Sequence, residues 1–331
     1  MPYDLYQIYH NNIPTLIMDL ANTPAMQRLK YIGMNCGCEY TNIPIYKNCF
    51  PYSRYEHSLG VALIIYHFTQ DIVQAISGLF HDISTPTFAH TIDFLNGDYI
   101  TQESTESDTA TFISASNEIM QILNDNHINI SDVTDYHRYP IADNDSPRLS
   151  SDRLEYSLGN ILEFGFGSLD EVYALYNDLT VLTNEDGQPE LGFRTLEKAE
   201  CFTELSLKNS YIFTSKEDRC TMQLLSTIMQ KALDLHVITN SDLYKTEPYI
   251  IRKLSSHPDT KTSWEDYCNI SQVLQSNIKP SDGWIQVNAK KRYINPLVQS
   301  MGRITSISGT ASHKIETYRN EDFSSWLRAI S

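Results

Sequence analysis

Three stretches of the chain carry the side chains best suited to chemistry. His57 lies in RYEHSLG at the head of an apolar run, His81-Asp82 closes the next apolar run in LFHDI, and Asp152 opens a third in SDRLEYSLGN. Imidazole and carboxylate together suit a divalent cation such as Mn, Fe, Co, Ni, Zn or Mg. Polar residues at the ends of apolar helices are costly to bury unless they are paired or metal-bound. If the helices carrying His57 and His81-Asp82 pack antiparallel, those three side chains can converge at one end of the pair. Asp152 is then the best candidate for a fourth ligand. Singly, each residue reads as a satisfied core histidine or a helix cap; the ordered set reads as a metal site.

The surrounding pattern is mostly helical. Thr23-Pro24 predicts a helix start, with Met26, Leu29 and Ile32 at helical spacing. Gly33 to Tyr52 is a connection, with a short strand expected at Tyr40–Ile45. Two helices follow from His57 to Phe80, then a break at Ser84–Thr87 and a short helix from Phe88 to Leu95. On that short helix His90 and Asp93, three apart, share a face. A longer helix runs through Ile119 and Ile122, and a long polar connection leads to the helix Asp152–Phe164. Leu179 to Phe193 alternates about Asn184-Glu-Asp-Gly187, which predicts a β-hairpin. Helices are expected at 195–209, 215–236 and 240–256. Beyond about residue 260, GWIQVNAKKRYINPLV and ITSIS read as strands and DFSSWLRAI as a last helix. The expected fold class is mainly α: a helical domain over 1–255 with a hairpin insertion, and a small α+β lobe over 256–331.

RYEHSLGV, LFHDI, FAHTID and SDRLEY, in that order, resemble the HD-domain phosphohydrolases, and most closely the branch of deoxynucleoside triphosphate triphosphohydrolases. TPAMQRLKYIG upstream and KKRYINPLV near the C-terminus resemble further segments of that branch, and the likeness is dense from about Thr23 to Asn160. The resemblance implies an HD-type helical bundle with His57, His81, Asp82 and Asp152 as metal ligands. It places His90 and Asp93 beside the scissile phosphate, where the histidine exchanges a proton and the aspartate fixes its tautomer. Arg153 stands where the family often has a phosphate-touching lysine. Relatives commonly associate, so a homo-oligomer is an expectation of the same resemblance.

The residues themselves add two substrate candidates. Arg54 shares a helix face with His57 and suits a phosphate oxygen, its competing role being an ion pair with Glu56 or another carboxylate. Tyr156, four residues beyond Asp152, can donate to a phosphate or stack on a sugar. The departures from the family pattern concern proton transfer. Thr85 stands where a histidine is expected, and Thr101-Gln102-Glu103 is the nearest match to a T-H-E stretch. Asn160 replaces an ordering aspartate, and Glu217-Asp218 replaces a sugar-reading Tyr-Gln pair, which would repel a triphosphate.

The chain has 331 residues, 25 Lys+Arg against 41 Asp+Glu, and a net charge of −16. Such a surface repels nucleic-acid backbones, although a metal-loaded pocket can still take a small phosphorylated substrate. Six cysteines show no paired metal spacing beyond Cys36-Gly37-Cys38, and no signal peptide opens the chain. Reduced thiols in a cytoplasmic protein are expected. The longest apolar run, Leu59 to Phe68, is too short to span a bilayer, so no membrane is implied. Three readings follow. The first is a metal-dependent phosphohydrolase acting on a nucleotide or other small phosphoester. The second is a triphosphohydrolase whose lost histidines are replaced by His127 or His137 of the polar connection. The third is a metal-holding regulatory module with little catalysis.

Overall fold

A computed structural model describes residues 4–97, 108–278, 280 and 282–331 of the chain. Thr101, Gln102 and Glu103 lie outside the described residues. The protein is mainly α with small sheets.

The central element is the helix Arg54–Thr69, buried along nearly every face from Arg54 to Ile65. It starts where Ser53 N–H donates to Glu56 at 2.9 Å, one half of a capping box, and it ends on Gln70, in the left-handed region at φ 55°. One residue later Asp71 caps the next helix, Ile72–Phe80, by accepting from Val73 N (2.9 Å) and Gln74 N (3.2 Å). That abrupt reversal folds the second helix back along the first, so that His57 and His81 reach the same end of the pair. Gly78 makes the approach possible: a Cβ there would stand 2.2 Å from Ile65 Cδ1 and 3.2 Å from Val61 Cγ1. The helix Ser151–Glu163 also packs on the central helix, and Ser150 caps it by accepting from Arg153 N at 3.2 Å.

Two strands, β1 (Leu179–Thr183) and β2 (Pro189–Phe193), pair antiparallel around a turn in which Asn184 Oδ1 accepts from Asp186 N and Gln188 N. The remaining strands are β3 (Gln272–Ser276), β4 (Ile285–Gln286), β5 (Leu297–Val298), β6 (Gly302–Arg303) and β7 (Trp326–Ile330). They form one sheet in the order β1-β2-β5-β6 and a second in the order β3-β7-β4. Two apolar clusters fill the interior. The first surrounds the paired central helices and includes Ile304, Ile315 and Tyr318 from beyond residue 256. The second surrounds the helix Lys216–Asp234 and includes Trp264, Val273 and Leu327.

Several local expectations give way to tertiary context. Tyr40–Ile45 forms no strand: a 3₁₀ turn at Cys38–Tyr40 is followed by a short helix at Pro44–Lys47, started by the proline. Phe88 and Ala89 lie in the left-handed region (φ 63° and 43°), so the short helix begins only at Thr91, with His90 at its N-cap. The helix expected through Ile119 and Ile122 is broken by Ser116 into Thr109–Ala115 and Asn117–Asp125. ITSIS is helical at Ile304–Ile307, and the DFSSWLRAI segment ends in strand β7 rather than a helix. That segment is too short to support an isolated helix, and β3 satisfies its backbone over five residue pairs. The lead-in before residue 22 holds the helices Asp4–Tyr9 and Thr15–Ala21. Thr23 occupies the next N-cap, but its hydroxyl donates back to Leu20 O at 2.7 Å.

The Gly78 contact yields a prediction. Gly78→Ala should destabilise the fold by about 1–3 kcal/mol through overpacking, read as a lower urea midpoint with an unchanged slope.

Candidate metal centre

His57 sits in the first turn of its helix, His81 just past the end of the next, and Asp152 in the first turn of a third. All three offer ligand atoms that lie within 4.8 Å of one another. His57 Nε2 is 3.1 Å from His81 Nε2 and 3.0 Å from Asp152 Oδ1. His81 Nε2 is 3.7 Å from the same carboxylate oxygen. Asp82 Oδ2 lies 3.6 Å from His81 Nε2 and 3.9 Å from His57 Nε2. A cation with ligands at about 2.1 Å separates them by roughly 3.0 Å at adjacent octahedral corners and roughly 3.4 Å in a tetrahedron.

The hydrogen bonds behind these atoms decide what faces the centre. His81 Nδ1 lies 2.7 Å from Gly78 O, which can only accept, so the proton is on Nδ1. His57 Nδ1 lies 2.6 Å from Glu155 Oε2. Both neutral imidazoles therefore turn Nε2 lone pairs toward each other and toward Asp152. Three lone-pair donors at such distances repel unless a cation or a proton lies between them. This donor set fits a divalent metal, with Glu155 and Gly78 O as the outer groups that fix the imidazole tautomers. In the metal-free chain the centre takes a proton instead. Burial alone would lower the His57 pKa, but the bonds to Asp152 and Glu155 raise it to about 10.

Glu155, which sequence reasoning passed over, is fully buried. It accepts from Tyr52 OH at 2.5 Å and from Tyr9 OH at 3.4 Å. A Cβ on Gly60 would stand 2.5 Å from its Oε1, so the glycine admits the carboxylate. The available signal was its place three residues after Asp152, on the same helix.

Arg54 pairs with Asp82 at 3.0 Å rather than with Glu56. Burial alone would raise the Asp82 carboxyl, but Arg54 and the two imidazoles hold it well below the usual carboxylate range. Arg54 Nε is buried with no hydrogen-bond partner among the described residues. Thr85, where the resemblance implied a histidine, donates from Oγ1 to the other Asp82 oxygen at 2.8 Å. From the upstream segment, Arg28 Nη2 clamps the loop beyond His81-Asp82 by donating to Ile83 O (2.9 Å) and Thr85 O (2.8 Å).

The centre lies in a cavity of about 530 Å³. His90 lines it and bonds through Nδ1 to Asp93 Oδ2 at 2.9 Å. Burial lowers the His90 pKa; Asp93 opposes the shift and Arg54 and Arg292 add to it. Tyr156, Asn160 and Arg153 also line the cavity. Arg153 donates to Arg148 O (2.7 Å) and Asn144 O and pairs with Asp143 at 3.1 Å. His137 and Tyr136 of the polar connection line the same cavity, whereas His127 is exposed and does not. Asp218 lines it too, pushed up to about 7 by burial despite the hydrogen bond from Tyr46. Lys290, Lys291 and Arg292 enter from the segment between β4 and β5, a contribution visible in the sequence only as a short basic run.

No protein-family model matches the chain. It is 25% identical over 294 residues to an uncharacterised protein, YdhJ, of Bacillus subtilis, covering 87% of this chain and 85% of that protein. It is 24% identical over 165 residues to the metal-dependent phosphohydrolase cns2 of Cordyceps militaris. That match covers 50% of this chain and 46% of the relative. The chain is thus a distant relative of a metal-dependent phosphohydrolase, and its His-His-Asp cluster could hold a divalent metal. Among the described residues no helix is long and apolar enough to cross a membrane.

Two outcomes are expected of the centre. Glu155→Gln should weaken metal affinity about 10–100-fold with the fold retained, measured by chelator competition. Because His57 holds its extra proton up to about pH 10 without metal, binding must expel it. Apparent affinity should therefore rise with pH below that value and proton release should accompany metal addition.

Proposed function

We propose that the protein is a metal-dependent phosphohydrolase of small phosphomonoesters, nucleotides among them. The reading is carried by the buried cluster of lone-pair donors opening onto a ligand-sized cavity. In this account His57, His81, Asp82 and Asp152 hold one divalent ion. Such an ion, when bound, lowers the pKa of a coordinated water and neutralises phosphoryl charge. Arg54 keeps Asp82 ionised and turns its guanidinium toward the phosphate. His90, kept neutral and held in one tautomer by Asp93, accepts the proton of the attacking water. Tyr156 and Asn160 border the substrate. Arg153 acts mainly through the wall it braces, and the 256–331 lobe, packed on a 1–255 helical domain, supplies Lys290 and Arg292.

Charge favours a monoester over a triphosphate. Five basic side chains line the cavity (Arg54, Arg153, Lys290, Lys291 and Arg292), and so do five aspartates (Asp82, Asp143, Asp145, Asp152 and Asp218). With Asp218 pushed up to about 7 and so only partly charged near neutrality, a divalent ion leaves an excess of roughly +2 to +3, which suits a phosphomonoester dianion better than a polyphosphate tail. Arg292 lies within electrostatic reach of His90, Tyr156 and Asp218, which line the cavity with it.

The test is a screen of nucleoside monophosphates, deoxynucleoside triphosphates, cyclic nucleotides and a chromogenic phosphomonoester with added Mn. Monoester turnover that Asp82→Ala abolishes is expected; release of tripolyphosphate, or turnover indifferent to Asp82→Ala, would contradict the proposal. Arg292→Gln should raise KM about tenfold, the loss of one charge-assisted contact of about 1.5 kcal/mol.

A further inference from the structure

We infer that His137 is the acid that protonates the leaving group, making it the second proton-transfer residue of the hydrolysis proposed above; the inference rests on that reading. Two imidazoles outside the metal cluster line the cavity, His90 and His137, and they come from different elements. They share one local feature. His137 Nδ1 bonds to Asp143 Oδ2 at 2.9 Å, as His90 Nδ1 bonds to Asp93 Oδ2 at 2.9 Å. In each pair the carboxylate holds the proton on Nδ1, so Nε2 is the nitrogen through which the ring exchanges protons with the cavity.

His137 is held in register with the metal centre, although it sits in a long connection. Asp143, its partner, is buried and pairs through its other oxygen with Arg153 Nη1 at 3.1 Å. Arg153 follows Asp152 directly. Two more bonds join the same turn to the connection: Ser151 N donates to Ile141 O (2.9 Å) and Asp152 N to Ala142 O (3.3 Å). On the other side the Tyr136 ring lies 5.1 Å from the His81 ring and 4.3 Å from the His137 ring. Asp135 Oδ1 accepts from His137 N at 3.1 Å and shapes the local turn. Residues 135–143 are thus fastened to both a metal-ligating histidine and the turn of a metal-ligating aspartate. The side chain of His137 is 55% exposed, so the proton it gives up is readily replaced from solvent.

The step balances. The water oxygen bonds to phosphorus as the bond to the leaving oxygen breaks, its electron pair departing with that oxygen. His90 takes the proton of the water, and His137 Nε2 gives its proton to the leaving oxygen. His90 ends protonated and His137 neutral, and exchange with solvent restores both.

An acid for the leaving group matters only where the leaving group needs a proton. Phenyl phosphate and 4-nitrophenyl phosphate have nearly the same shape, and the nitrophenolate departs unaided. With the Mn-loaded full chain, His137→Gln should lower kcat/KM for phenyl phosphate about 10²-fold or more and for 4-nitrophenyl phosphate less than about threefold. Asp143→Asn should show the same selectivity in weaker form, and the Mn content of both variants should match wild type. Equal losses on both esters would assign His137 a structural role and overturn the inference, as would no loss on either. Absence of turnover of both esters by wild type would overturn the phosphohydrolase reading itself, a result distinct from these two.

Discussion

Two imidazole nitrogens and a carboxylate oxygen, all presenting lone pairs, are driven to within 3.0 to 3.7 Å of one another in a cavity wall. None of the three can donate to the others while both histidines are neutral, because both Nδ1 protons are already committed. A bare arrangement of that kind is repulsive, and its persistence calls for positive charge at the centre. Much of the surrounding architecture serves to hold that arrangement. The reversal at Gln70-Asp71 brings His57 and His81 to the same end of a helix pair, and Gly78 lets the pair approach. Glu155, lodged against Gly60 and fed by Tyr52 and Tyr9, fixes the ring whose lone pair matters most.

A second layer governs what happens next to the centre. The Thr85 hydroxyl braces one Asp82 oxygen while Arg54 braces the other. Two histidine–aspartate pairs stand on the cavity wall, one at a helix N-cap and one in an irregular loop, and in the hydrolysis proposed above they carry the proton transfers. Arg153 links the second pair to the start of the Asp152 helix. Five basic side chains face five aspartates across the cavity, in a chain whose overall charge is −16.

The parts of this arrangement fixed by short-range signals were legible in the sequence. The apolar spacing of Ala62, Ile65, Ile72, Ile76 and Phe80 marked the central helix pair, whereas the caps at Ser53 and Asp71 that bound it emerge only in the structure. The Asn184–Gly187 turn marked where β1 and β2 pair. His57, His81 and Asp152 were legible as a cluster because each stands at the end of an apolar helix. Partners set by tertiary approach were not. Glu155 is an ordinary helical glutamate until Gly60 and two tyrosines close around it. His137 is one of several polar residues in a loop until Arg153 and Tyr136 fix it. Strand β7 reads as helix because its pairing partner, β3, lies some fifty residues upstream, beyond the reach of local periodicity.

Equilibrium dialysis of the full chain against Mn, followed by elemental analysis, tests the central claim most directly. One ion per chain in wild type, lost in both His57→Ala and Asp152→Asn while each variant keeps its helical circular dichroism, is the predicted result. No stoichiometric ion in wild type, or binding that survives both substitutions, would contradict it.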